Sequence, residues 1–237
     1  MLTHFIGQKE IRSHILQDMV AATQNDCCIC SKHMLLHMNE GSGRTTLLRY
    51  MTEVYEENHV RNFMNLDLFI EEILPSTLKE LNLLERRIVS KAVFANHFSG
   101  IIALDAAALE KCLNDSEYMA TFRRMVFNLR EHAMMIFFMP EQSSARANRV
   151  EQILEELCEH YVVNLPARMY SVQDLTSILD ILLRDNGICP GDRRYPENAE
   201  RYIIEHAEEL TPYTLKCLVR NIKYDALYLN PEERIVL

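Results

Sequence analysis

Residues 37–46, His37-Met38-Asn39-Glu40-Gly41-Ser42-Gly43-Arg44-Thr45-Thr46, have the residue types and spacing of a phosphate-binding loop with two positions changed. The intact pattern is G-x-x-x-x-G-K-[ST]. Its backbone amides cradle phosphates, its Lys meets the outer phosphates and its hydroxyl ligates Mg²⁺. Gly43 and Thr45 fit, Met38 stands for the opening Gly and Arg44 for the Lys. Gly41 and Gly43 allow positive-φ turns and close approach of an anion. Arg44 keeps the charge, but a planar guanidinium is no neutral exchange for an ammonium. Glu40, Gly41, Ser42, Gly43, Arg44, Thr45 and Thr46 are the candidate nucleotide-binding positions of this loop. The plainer alternative is a Gly-Ser-Gly turn between a strand and a helix.

About 60 residues downstream, Ile101-Ile102-Ala103-Leu104-Asp105 is an apolar run ending in an acid. A phosphate-loop protein holds its Mg²⁺ shell from a neighbouring strand in this way, which makes Thr45 and Asp105 the candidate Mg²⁺ positions. Taken alone, such an Asp is equally a solvated or helix-capping residue. In ATP-hydrolysing forms a Glu commonly follows to polarise water; here the residue is Ala106.

These residues need strands and helices to position them. Short apolar runs alternate with helical periodicity, which predicts an α/β protein with a parallel sheet. The spacing predicts a helix over 9–23, strands over 33–37, 60–66, 100–105, 133–139 and 161–165, and helices over 45–58, 78–94, 116–131 and 150–159. Strand 33–37 runs into the Gly-rich loop and helix 45–58 leaves it, the context a phosphate loop requires. After Leu165 only helical runs follow, over 172–184, 198–209 and 212–226. We therefore expect a P-loop NTPase-like α/β domain over 1–166, with a five-stranded parallel sheet and flanking helices, and a small helical lid over 167–237.

Other chemistry-bearing clusters are weaker. Cys27, Cys28, Cys30, His33 and His37 are zinc-ligand types without paired zinc-site spacing, and read as buried thiols. Met-rich 133–139 reads as core, and Glu151, Glu155, Glu156 and Glu159 as a solvated face. Tyr195 and Tyr202 beside Arg193, Arg194 and Arg201 have a basic-aromatic composition, but the acidic total favours an ordinary exposed surface.

The chain has 237 residues, 48% hydrophobic and 25% charged, the balance of a protein that buries a core. A net charge of −9 argues against gripping nucleic acid by bulk charge. Met1 to Phe5 has no signal-peptide character, and no run approaches the roughly 18–20 apolar residues of a membrane span. Seven cysteines, an odd number, suggest a reducing compartment. The expectation is a cytoplasmic protein with no membrane partner and no nucleic-acid partner.

With the loop at Gly41 to Thr46 and the acid at Asp105 in that order, the chain resembles the AAA+ ATPase family over nearly its whole length. Its spacing is similar to the compact bacterial sporulation and CbbX-like group. The resemblance implies that Phe5-Ile6-Gly7-Gln8-Lys9-Glu10 precedes the first strand and packs near adenine, which adds Ile6 and Gly7 to the nucleotide positions. It implies ATP or ADP with Mg²⁺ as cofactors and self-association or a protein partner. It also implies an arginine reaching a neighbour's phosphate, for which Arg146 and Arg149 are positioned, with a solvated helix face as the alternative. Tyr213, Lys216 and Arg220 fall where a lid phosphate sensor would lie, though none matches cleanly. The departures at Arg44 and Ala106 make efficient hydrolysis improbable. Three functions stay open: a degenerate nucleotide-binding module that regulates or assembles, an active ATPase using Asp67 or Glu71 as the missing acid, and a ligand-free interaction module.

Overall fold

A computed structural model describes residues 6–14, 17, 33–39, 41–62, 68–94, 100–129, 133–140, 144–157, 162–166, 170–225, 227 and 235–237. The strands are β1 (His33–His37), β2 (Leu68–Ile73), β3 (Gly100–Asp105), β4 (Ala133–Met139) and β5 (Val162–Pro166). They pair in parallel as one five-stranded sheet, ordered β2-β3-β4-β1-β5. The helices are α1 (residues 9–14), α2 (Arg44–Asn62), α3 (Leu78–Phe94), α4 (Leu109–Cys112), α5 (Ser116–Leu129), α6 (Ala145–Leu157), α7 (Val172–Asp185), α8 (Ala199–His206) and α9 (Pro212–Asp225).

Unbroken apolar strands are covered on both faces. Successive side chains leave on opposite sides and feed two cores. Met34, Leu36, Ile101, Ala103, Ile136 and Phe138 pack with Ile11 of α1 and with Leu47, Leu48, Met51 and Val54 of α2. Leu35, Ile102, Leu104, Met135, Phe137 and Met139 pack with α3, α5 and α6. Residues 134–139 are all buried, so the Met-rich strand is core.

Several boundaries differ from the sequence expectation. The second strand is not at 60–66: residues 60–62 finish α2, and the strand is Leu68–Ile73. It is an edge strand of the sheet. Helix α6 starts at Ala145 rather than 150, because the Ser144 hydroxyl accepts the Ala147 amide at 2.9 Å and caps it. The short α4 had no sequence signal. Helix 9–23 is described only in part, and Cys27, Cys28, Cys30, Glu40, Asp67 and Glu159 lie outside the described residues.

From Tyr170 onward, α7, α8 and α9 build a third core around Leu179, Leu183, Ile188, Ile203, Leu215 and Val219. A capping box between Ser171 and Asp174 starts α7. It ends in a Schellman motif: the Gly187 amide donates to the Arg184 carbonyl and the Ile188 amide to the Leu183 carbonyl, both at 2.9 Å. Gly187 has φ +71°, and a methyl group on its Cα would meet nothing within 4 Å. Gly187→Ala should therefore cost only backbone strain, about 1 kcal/mol, seen as a lower urea midpoint with unchanged m. A loss above about 3 kcal/mol would mean the left-handed turn is not the only thing glycine supplies there.

Candidate functional site

The carboxyl ends of β1, β3 and β4 converge on the Gly-rich loop. The Met38 amide donates to the Met139 carbonyl at 2.8 Å, extending β1 against β4. The Met38 side chain is buried in the core beside α2, so it does not crowd the loop. The Ser42 amide and hydroxyl both donate to the Asn39 carbonyl, at 3.2 and 2.6 Å. Gly41 and Gly43 turn with φ +84° and +93°. The Leu47 amide then donates to the Gly43 carbonyl at 2.9 Å, starting α2. The amides of Arg44, Thr45 and Thr46 thus occupy a helix first turn, where intrahelical acceptors are lacking and the dipole is positive. The Thr45 and Thr46 side chains are exposed.

Arg44 turns inward. Its Nε donates to the Met38 carbonyl at 2.8 Å, and one terminal nitrogen donates to the same oxygen. The other pairs with Asp105 Oδ2. The guanidinium carbon lies 5.2 Å from the Phe138 ring centroid. Phe138 is in register with Leu36 of β1 and Asp105 of β3, so Arg44 spans the end of β4 to bind its two neighbours. Asp105 Oδ1 accepts the Ala107 amide at 3.0 Å. Both carboxylate oxygens therefore already have donors. Ala106 is fully buried.

The lid closes over the same loop. The Tyr170 hydroxyl donates to the Ser42 carbonyl at 2.7 Å, and the Tyr213 amide donates to the Gly41 carbonyl at 3.1 Å. A Cβ at Gly41 would sit 3.0 Å from the Tyr213 Cβ; one at Gly7 would sit 2.8 Å from the Tyr170 ring. Gly7, the loop and the lid thus meet on Tyr170. Burial, above all, pushes the Tyr170 phenol up to about 12. Tyr170 was missed by sequence reasoning, and its 128-residue separation from Ser42 leaves no local signal to find it.

The other candidates are elsewhere. Ile6 is half-buried beside Gly7. Arg146 and Arg149 are exposed on α6, and Arg149 donates to Gln152 at 2.8 Å. Lys216 and Arg220 are exposed on α9. Glu71 pairs in register with Ala103, and both β3 and β4 separate its strand from β1. His33 Nδ1 accepts the Met135 amide at 3.1 Å, and His37 Nε2 lies 3.4 Å from Glu151. Among the described residues no His, Cys, Asp and Glu grouping could hold a metal ion, and no helix is long and apolar enough to cross a membrane.

No protein-family model matches the sequence, and no curated protein matches it. Solved structures do. A RuvB variant from Thermotoga maritima aligns with TM-score 0.65 at 13% identity, covering 99% of this chain and 68% of that one. Orc1 from Aeropyrum pernix, solved in complex with DNA, aligns with TM-score 0.65 at 15% identity, covering 99% and 63%. PCH-2 from C. elegans aligns with TM-score 0.58 at 10% identity, covering 96% and 63%. The chain has the AAA+ ATPase fold. It spans about two thirds of the length of these neighbours. The expectation of no nucleic-acid partner draws no support from them, since the Orc1 structure contains DNA.

Mg²⁺ does not fit the arrangement described: its candidate carboxylate is held by a guanidinium and an amide. Arg44→Met should destabilise the fold by about 1–3 kcal/mol, because Asp105 is left without its cation; the pair is 14% and 25% exposed, which tempers the cost. A double-mutant cycle with Asp105→Asn should give a coupling of about 1 kcal/mol by urea unfolding. Additive effects would mean the two side chains do not meet in solution.

Proposed function

We propose that this chain is a non-hydrolysing AAA+-fold module, a regulatory or assembly protein that acts through the surfaces it presents rather than by turning over ATP. The observation that carries the reading is the inward Arg44, paired with Asp105 and the Met38 carbonyl. Phosphoryl transfer rests on positioned charge and an oriented nucleophile. The cation that would answer phosphate is committed to the protein, the acid that would hold Mg²⁺ is neutralised, and the water-polarising position is a buried Ala106. Self-association or a protein partner, in the cytoplasm, is the setting this reading implies, with exposed Arg146 and Arg149 available at an interface.

A second reading is favoured by one feature: Gly41 and Gly43 keep their positive-φ turns at the start of α2. On it, ATP or ADP is held by the first-turn amides, with Ile6 and Gly7 near the base and Lys216 and Arg220 as lid contacts. Binding of this kind would be independent of Mg²⁺.

Three measurements test the proposal. Protein denatured after purification should release no stoichiometric adenine absorbance. Phosphate release from Mg²⁺-ATP should match that of Asp105→Ala. Arg44→Lys with Ala106→Glu should gain hydrolysis over wild type if the rest of the pocket persists. Wild-type hydrolysis abolished by Asp105→Ala would overturn the reading. A titration in which ADP binds equally with and without Mg²⁺ would support the second reading.

A further inference from the structure

Helix α9 is seated in the lid by Leu215, Val219 and Ile222. Hydroxyl groups fix its start: the Thr211 amide donates to the Thr214 hydroxyl at 2.8 Å, and the Thr214 amide to the Thr211 hydroxyl at 3.2 Å. Away from the core it shows Tyr213, Lys216, Arg220, Lys223 and Tyr224, all exposed. Steps of three and four residues place these on one stripe. From Tyr213 to Tyr224 it runs about 16 Å at about 1.5 Å per residue. The two tyrosines are 62% and 61% exposed, so both ring faces are open to a ligand.

Among the described residues, Lys216, Arg220 and Lys223 have no acidic partner, and the one acid in the helix is Asp225 at its end. Two other lid cations are paired. Arg194 forks onto Asp192, holding that carboxyl down at about 2, and Arg201 bonds Glu205 at 2.7 Å. The Tyr195 hydroxyl donates to Asp180, and Tyr202 stacks on His206. Within the 193–202 stretch, Arg194, Arg201, Tyr195 and Tyr202 thus have partners in the protein, while Arg193 is exposed. Three unpaired cations between two exposed rings stand out on a chain of net charge −9.

We propose that the α9 stripe binds single-stranded nucleic acid. Alternating cations and ring faces suit a strand whose phosphates and unstacked bases are both presented. Three cations on a surface one helix wide are too few for the six to ten phosphate contacts typical of a duplex grip. The acidic remainder of the chain repels the strand elsewhere and confines it to the stripe. The proposal does not rest on the loop being silent, and every variant below keeps Arg44 and Asp105.

The test is fluorescence anisotropy with labelled single strands of about 12 nucleotides, DNA and RNA, at several salt concentrations. With three phosphates engaged, log K should fall against log[salt] with a slope of about −2. Lys216→Glu, Arg220→Glu and Lys223→Glu combined should weaken binding at least about tenfold at low salt. Tyr224→Ala should weaken it about fivefold or more, and Tyr213→Ala likewise, since the main-chain bond from Tyr213 to Gly41 survives that change. All changes are on the surface, so circular dichroism should be unaltered. Each of the following would overturn the proposal: no binding at low salt, a slope near zero, an unaffected triple variant, tighter binding of duplex, or tyrosine variants that bind as wild type while heparin competes equally. So would sedimentation showing self-association that the triple variant abolishes, because the stripe's occupant would then be a second copy.

Discussion

Everything around the Gly-rich loop depends on where one guanidinium points. The carboxyl ends of parallel strands gather carbonyl oxygens and, here, the carboxylate of Asp105. Such a place calls for positive charge. In a nucleotide-binding site that charge is shared among a mobile ammonium, a metal and the helix end, all able to answer an incoming anion. Arg44 supplies it from within the protein. Its fork reaches two acceptors at once, the Met38 carbonyl and Asp105, while its flat face lies over Phe138. A Lys, with a point charge on a flexible stem, has no comparable hold on carbonyl, carboxylate and ring together. Arg44 therefore keeps the positive charge of a Lys while joining the strand ends through the Met38 carbonyl and Asp105.

The lid reinforces that closure and changes the meaning of the glycines. A glycine in such a loop ordinarily reads as room for phosphate oxygens. Here the room beside Gly41 is taken by the Cβ of Tyr213, and that beside Gly7 by the Tyr170 ring. Both glycines are required by packing against the lid, whatever the loop binds. Two hydrogen bonds, from Tyr170 to Ser42 and from Tyr213 to Gly41, then tie lid to loop. Each contributes of the order of 1 kcal/mol, enough to bias the lid toward the loop when added to its own core.

What could be read in the sequence follows the reach of each signal. Helix Leu78–Phe94 was legible from its helical spacing of apolar residues, and strands Gly100–Asp105 and Ala133–Met139 because burial on both faces leaves unbroken apolar runs. The second strand was misplaced for two physical reasons. Helix α2, once nucleated, propagates through Val60 where apolar residues imitate a strand, and the sequence of β2 has Glu71 and Glu72 inside it, which breaks the apolar run a buried strand would show. The start of α6 was legible in principle, since Ser144 is a good cap. At the site, the loop and Asp105 were legible as types and order. The direction of Arg44 was not, because it is decided by acceptors on β1 and β3 that only the sheet order brings to either side of β4. Tyr170 had no local signature at all.

Fold and charge therefore carry different information about function. The fold is shared with RuvB and Orc1 at 13–15% identity, because burial patterns tolerate wide substitution. Charge placement has no such tolerance. At the strand ends it is internally balanced, with guanidinium on carboxylate and hydroxyl on carbonyl. Around the lid loop it is balanced again, by Arg194 on Asp192 and Arg201 on Glu205. On α9, Lys216, Arg220 and Lys223 have no acidic partner among the described residues and lie between two exposed rings. An imbalance that local partners do not relieve is where an outside anion gains the most, since nothing must be broken before it binds.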